Sequence, residues 1–448
     1  MLKQTFTSDN FRRIFDNESR RGVNLEPRFF PEVADVTKLI SECRRKVRDL
    51  RRRRNTLAPS AYEGELSKLK DEKQQLTIQK EDLLRQELEK ISSQMADGNF
   101  GLVLRQVTVP RGGKAYTLGN TPTAYFAMKQ LQYNIRRVYD VKQSSRFSIV
   151  SALKTILADG FPKYVIRADI KDFYESIPHE GLLNKIDAES LLALPSRKII
   201  RQVLNDYRDL SGGRTGIPRG VGVSAYLSEL YMRDFDDAIK SHDELVYYAR
   251  YVDDIVVVFA AKPNSSVDQY RKFLERQVAA VGLKLNTSKT KPFDLRAPGT
   301  CCMEYLGYKI TFGQGPITIG LSDKRKQKYK DRIKRSFEAY RKQGQVNEKK
   351  ARRLLVKRIR FMTGNTRLRN SKANIMIGVY YSNSLLSSSD ELKSADDCLK
   401  TQIALIRSQS LRNRLSKLSF EEGFSQRRYH AFSTGELGQV TELWRHET

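Results

Sequence analysis

Asp253 and Asp254 stand side by side between two apolar stretches, and adjacent carboxylates in such a place are costly unless a cation meets them. The flanks, Leu245 to Arg250 and Ile255 to Ala260, are rich in β-branched and aromatic residues. They predict two buried strands joined at a polar turn. A third acid, Asp169, ends another apolar run, Tyr164 to Ala168. Read alone, Asp169 is a strand-end cap and the Asp-Asp pair an exposed turn. Read together, three carboxylates from neighbouring strands make a hard, oxygen-rich set suited to a pair of Mg²⁺ ions rather than to zinc. Two such ions serve in-line phosphoryl transfer, one at an attacking 3′-hydroxyl and the other at a departing pyrophosphate.

The elements that must position these acids follow from periodicity. Val109 to Leu118 reads as a basic hairpin around Gly112 and Gly113, and Ile149 to Leu157 reads as a helix. Gly216, Pro218 and Gly220 give a stiff, side-chain-poor loop, and one helix is predicted after it over 223–238. Three regions result: a helical arm over 1–100, a mixed α+β region over 101–310, and a basic helical region over 311–448. In the arm, Leu39, Ile40, Cys43, Val47 and Leu50 form one helical stripe, Thr56 to Ser60 interrupts it because Pro59 breaks a helix, and a second helix marked by Leu66 to Ile91 ends near Asp97. The pair serves equally as an RNA-binding, partner-protein or self-association element. Arg51, Arg52, Arg53 and Arg54 lie between the helices, as an RNA contact or a solvated face.

Charge narrows the partners. Lysine and arginine number 81 against 52 acids, a formal net charge of +29 over 448 residues, and a field of that size attracts polyanions. The cations concentrate after residue 323, including Lys334, Arg335, Arg352 and Arg353, between leucines and isoleucines at helical spacing. Such a face grips a nucleic-acid backbone without reading sequence. Long apolar runs and a signal-peptide pattern at Met1-Leu2-Lys3-Gln4-Thr5 are both lacking, so a cytoplasmic protein with no membrane partner is expected. The four cysteines have no zinc spacing, and Cys301 and Cys302 read as core packing.

The ordered motifs resemble the reverse transcriptase family over roughly residues 100–310. Ala168-Asp169-Ile170-Lys171-Asp172-Phe173-Tyr174 is similar to its first palm motif, and Gly216-Ile217-Pro218-Arg219-Gly220 with Ser224 to its template-contacting motif. Tyr251-Val252-Asp253-Asp254 matches the catalytic hairpin, and Gly282 to Asn286 with Lys289 matches the next motif. Glu304-Tyr305-Leu306-Gly307-Tyr308 resembles the primer-grip hairpin. The resemblance implies a right-hand polymerase of fingers, palm and helical thumb, with the N-terminal helical hairpin as an extension. It implies Asp169, Asp253 and Asp254 as catalytic acids, Ile170 beside them in the metal set, and two Mg²⁺ ions for which Mn²⁺ substitutes. The dNTP contacts it implies are Arg111, Lys114, Tyr174 as a gate against a 2′-hydroxyl, and Lys289 at the pyrophosphate. Template and primer contacts fall to Arg146, Gly216, Pro218, Arg219, Gly220, Tyr305 and Gly307.

Each of these residues has a plainer reading, as core aromatic, tight turn or surface cation. Arg219 replaces a glutamine and Ala225 a proline usual in intron and retron enzymes, so the role of Arg219 does not carry over. The motif set is most similar to the defence-associated reverse transcriptases of bacteria, the abortive-infection and unclassified groups. That implies RNA-directed DNA synthesis on a dedicated non-coding RNA, with a DNA product, in antiviral defence. Alternatives are template-independent or protein-primed synthesis, a group II intron maturase or retron enzyme, and a non-catalytic RNA-binding scaffold.

Overall fold

The computed structural model describes residues 3–97, 100–109, 114–142, 144–368 and 375–444. Its arm comprises α1 (Ser8–Arg20), α2 (Glu26–Phe29), α3 (Pro31–Arg52) and α4 (Pro59–Ala96). Helices α3 and α4 form the expected pair, although Leu39 points to solvent rather than joining the stripe. Helix α1 was not legible, and it does much of the docking. Its Phe11 packs on Phe126 with ring centroids 5.6 Å apart, and its buried Glu18 takes an ion pair from Lys129 and a hydrogen bond from Tyr125.

Next come β1 (Arg105–Thr108) and β2 (Lys114–Thr117), an antiparallel hairpin, then α5 (Pro122–Val138) and α6 (Arg146–Leu157). Phe126, Tyr125 and Lys129 all lie on α5, which thereby seats the arm. Strand β3 (Lys163–Asp169) is followed by α7 (Phe173–Ser176), α8 (His179–Glu189) and α9 (Leu194–Ser211). The helix predicted over 223–238 is two, α10 (Ser224–Tyr231) and α11 (Arg233–Lys240), broken at Met232. Strands β4 (Leu245–Tyr251) and β5 (Asp254–Ala260) precede α12 (Val267–Ala280) and β6 (Lys291–Asp294).

These strands form one antiparallel sheet in the order β4-β5-β3-β6. Its two central strands are buried on both faces, and the alternation of a strand divides them cleanly. Tyr164, Ile166 and Ala168 of β3, with Ile255, Val257 and Phe259 of β5, enter one core with α8 to α12. Val165, Val256 and Val258 face the opposite core. Each such side chain, wholly withdrawn from water, contributes about 1.5–3 kcal/mol.

The opposite core is completed by a three-stranded sheet, β7 (Thr300–Tyr305), β8 (Tyr308–Gly313) and β9 (Thr318–Leu321), and by α13 (Asp323–Thr363). Cys302 is exposed on β7, because strand alternation sends it to the face opposite buried Met303. Helix α13 leaves helical geometry at Asn347 (φ −151°, ψ 92°), so its basic run forms two segments. Short strands β10 (Asn365–Arg367) and β11 (Met376–Gly378) lead to α14 (Lys393–Ala404), α15 (Gln409–Leu415), α16 (Phe420–Ser425) and α17 (Thr434–Thr441). Trp444 is buried there, stacked on Phe361. The whole is a mixed α+β architecture. Among the described residues, no helix is long and apolar enough to cross a membrane.

Candidate active site

Strand register brings the three acids to one end of the sheet. Asp169 on β3 lies directly opposite Asp254 on β5, and the Ile170 N–H donates to the Asp253 carbonyl at 3.0 Å. Between β4 and β5 the chain reverses through Val252 and Asp253. Val252 takes a left-handed conformation (φ +61°), a strained choice for a β-branched residue.

The charges here are incompletely balanced. Lys289 Nζ lies 3.0 Å from both carboxylate oxygens of buried Asp169, and Arg167 donates to Asp254 Oδ1 at 2.6 Å. Arg167 also donates to the Lys289 carbonyl at 2.7 Å, tying the two ion pairs together. Asp253 has no such partner among the described residues. Burial raises its pKa above the ordinary carboxylate value, and the nearby charges of Asp254 and Asp169 raise it further. Burial also raises the pKa of Asp254, with Arg167 opposing.

The donor set is all oxygen and mutually repelling, which suits a hard divalent cation. Yet among the described residues no three His, Cys, Asp or Glu side chains stand ready to hold a metal, since Asp169 and Asp254 are turned onto Lys289 and Arg167. The composition of the site fits magnesium, with the protein's own cations supplying the positive charge in this arrangement.

Around the acids the loop 216–220 is knitted to its neighbours through the backbone. Ile217 N–H donates to the Tyr174 carbonyl at 2.7 Å, and Gly216 N–H to the Ile177 carbonyl at 2.7 Å. Gly216 (φ +96°) admits no side chain, because a Cβ would lie 2.9 Å from the Tyr207 ring. Pro218 accepts a 2.7 Å hydrogen bond from Ser224 at the start of α10. Arg219 is exposed, 4.0 Å from Glu175, while its carbonyl accepts from Tyr116 N–H of β2 at 2.7 Å. Gly220 (φ +95°) lies so close to the Tyr116 carbonyl that a Cβ would come within 2.9 Å. Tyr174 is half-buried, and burial raises its pKa, as does the charge of nearby Asp253.

Three further contacts converge on the hairpin. The Arg146 guanidinium sits 4.6 Å over the Tyr251 ring. Tyr305, buried at the end of β7, donates to the Asp254 carbonyl at 3.3 Å. Gly307 (φ +83°) forms the β7–β8 turn with Leu306 (φ +50°) and lies beside Arg325.

Sequence reasoning passed over Arg250, which holds the hairpin from below. It is buried and donates to Asp236 at 2.8 and 2.7 Å, to Glu229 at 3.1 and 2.7 Å, and to the Val252 carbonyl at 3.1 Å. Burial opposes its charge, but Asp236 and Glu229 outweigh that and hold the guanidinium ionised. The available signal was one arginine at the end of an otherwise apolar strand, with acids on the two helices before it.

Other predicted residues lie away from this cluster. Lys114 is exposed at the start of β2, and Arg111 lies outside the described residues. Arg51 to Arg54 are exposed at the far end of the α3–α4 pair, with Arg54 over the Tyr62 ring. From Leu84, where α4 meets the body, back to Pro59 spans about 40 Å of helix. Lys334 and Arg335 lie on the first segment of α13, Arg352 and Arg353 on the second.

An antiparallel sheet is thus tipped with three acids and flanked by the glycine-containing loop 216–220. Residues 122–310, from the start of α5 into β8, match the family described as reverse transcriptase (RNA-dependent DNA polymerase). The match takes in all three acids, and the chain thus carries a reverse transcriptase domain. No curated protein matches the chain. Among solved structures it is similar to apo telomerase from Candida tropicalis, at 13% identity over 72% of this chain and 54% of that one, with a TM-score of 0.37. A form of that telomerase truncated from its C-terminal domain gives 13% identity over 44% of each chain, TM-score 0.33. Telomerase from Candida albicans in complex with a TWJ fragment of telomeric RNA gives 12% identity over 65% of this chain and 56% of that one, TM-score 0.35. The chain spans about half the length of these telomerases.

Proposed function

We propose that this chain is an RNA-directed DNA polymerase, adding dNTPs to a primer 3′ end. The observation that carries the reading is the register placing Asp169 opposite Asp254, with Asp253 at the adjoining turn. Asp169, Asp253 and Asp254, with the Ile170 backbone, would hold two Mg²⁺ ions (Mn²⁺ as substitute), whose positive charge activates the 3′-hydroxyl and stabilises the leaving pyrophosphate. Lys289, which pairs with Asp169, would give its proton or charge to that leaving group. Tyr174 beside Asp253 offers a ring where a ribose 2′-hydroxyl would collide. Arg146 and Arg219 flank the template path, and Arg111 and Lys114 belong to the hairpin that meets the triphosphate.

In this reading the sheet region is the palm, β1–β2 the fingers hairpin and α13 the thumb, whose cations Lys334, Arg335, Arg352 and Arg353 hold the duplex. The arm tip, Arg51 to Arg54, holds RNA. The motif residues favour a dedicated non-coding RNA as template and a role in bacterial antiviral defence.

The test is primer extension with dNTPs on an RNA template, with and without Mg²⁺. Asp169→Asn and Asp253→Asn should each abolish incorporation while leaving a cooperative thermal transition. Unchanged synthesis in either variant would overturn the assignment. Sequencing of copurified nucleic acid then decides the template: one defined RNA supports the reading, whereas heterogeneous DNA alone points to template-independent extension.

A further inference from the structure

Arg167 stands two residues before Asp169 on β3, so strand alternation puts both side chains on one face of the sheet. It lies directly opposite Val256 of β5 on one side and Lys291 of β6 on the other. That register sets Asp254 on its diagonal across β5. Lys289 sits two residues before Lys291, in the turn that enters β6.

The guanidinium fork spans the two. One nitrogen donates to Asp254 Oδ1 at 2.6 Å, and the other donates to the Lys289 carbonyl at 2.7 Å. Asp254 Oδ2 has no hydrogen-bond partner among the described residues, so the fork leaves that oxygen open. The turn carrying Lys289 is stitched to β3 at its entry. There the Asn286 N–H donates to the Asp169 carbonyl at 2.7 Å, and the Lys171 N–H to the Lys284 carbonyl at 2.9 Å. Within the turn, the Lys289 and Thr290 N–H groups both donate to the Asn286 carbonyl, at 3.1 and 2.9 Å. The Lys289 carbonyl accepts from Arg167 alone among the described residues.

The two cations of the cluster are therefore not equivalent. Lys289 reaches Asp169 with one ammonium on a flexible stem, and its side chain is 52% exposed. Such a contact yields to a divalent cation. The Arg167 side chain is only 16% exposed and is held at two points. We propose that Arg167 is a positioning residue, holding Asp254 with Oδ2 open to a divalent cation and bracing the turn from which Lys289 works. It stays bonded when Lys289 leaves Asp169. What Lys289 then does rests on the polymerase reading; the bracing of its turn does not.

Arg167→Lys keeps the charge and loses the planar fork, whereas Arg167→Met loses both. Hydrogen–deuterium exchange of the protein without metal or nucleotide reads the bracing. Both variants should speed exchange over residues 286–291 roughly tenfold and leave β7 to β9 unchanged. Mn²⁺ binding followed by EPR, again without nucleotide, reads the acids. Arg167→Lys should weaken it roughly tenfold, although charge alone predicts no change. Lys289→Met should tighten it about fivefold, the worth of one removed charge near 4 Å in water-like surroundings. In primer extension at saturating Mn²⁺, Arg167→Lys should lower kcat roughly tenfold with the dNTP KM little altered. Arg167→Lys carries the test if Arg167→Met melts early. Unchanged exchange over 286–291, wild-type Mn²⁺ affinity in Arg167→Lys, no tightening in Lys289→Met, or no Mn²⁺ binding by wild type would each overturn the proposal. A wild-type protein that binds Mn²⁺ but extends no primer would refute the polymerase reading, and exchange and Mn²⁺ affinity would still decide the role of Arg167.

Discussion

Two charged clusters lie one above the other in this fold, and they are finished differently. Under the hairpin, Arg250 meets Asp236 and Glu229, and its donors are spent on those acids and on the Val252 carbonyl. At the hairpin tip, three acids share Arg167 and Lys289, and among the described residues Asp253 has no cation of its own. The first cluster is closed: its charges satisfy one another and fix a shape. The second is open, and an open cluster of like charges has a reason to persist only if something arrives to complete it.

The largest effect should come from the open cluster. Asp253→Asn should lower incorporation at least about a thousandfold by removing an oxygen from the proposed metal set. The same change should raise Tm, because it deletes a repelled charge. The sign follows from the raised pKa values of Asp253 and Asp254. The folded state holds those protons more tightly than the unfolded chain, so their contribution is full below the ordinary carboxylate value and is lost as pH rises through the raised one. Mg²⁺ should in turn raise the Tm of wild type and not of Asp253→Asn, measured by thermal shift.

Breaking the closed cluster should do the reverse. Arg250→Met strands two partly buried carboxylates beside it and should cost about 3–5 kcal/mol by denaturant titration. If it costs less than about 1 kcal/mol, the network is not what holds the hairpin. A smaller effect is expected at the gate. Tyr174→Ala should raise ribonucleotide use roughly ten- to a hundredfold relative to dNTP, with stability little altered. An unchanged ratio removes Tyr174 from that role. Smallest of all, Val252→Gly relieves a β-branched residue at φ +61° and should stabilise by about 1 kcal/mol. A loss of stability would show that the valine's own packing outweighs its strain.

What was legible in the chain is what obeys local rules. The strands ending in Asp169 and flanking Asp253 announce themselves by composition, and Gly216 and Gly220 by the turns only they permit. Arg250 was not legible, because its partners lie on α10 and α11 and only packing brings them beneath the sheet. Likewise nothing near Phe11 or Glu18 in the sequence names α5 as their seat. The break at Met232 escaped because the helical stripe continues across it. Cys302 is exposed because strand alternation, and not hydrophobicity alone, sets which side chains of β7 are buried. Local periodicity gives elements; charge pairing across elements is a tertiary fact.

One backbone hydrogen bond, from Tyr116 to the Arg219 carbonyl, has a mechanical consequence. It couples the β1–β2 hairpin to the loop that rests on Tyr174, so neither can swing without pulling the other. If the proposed polymerase reading holds, a triphosphate drawing the hairpin inward would tug the floor beneath the sugar in the same stroke.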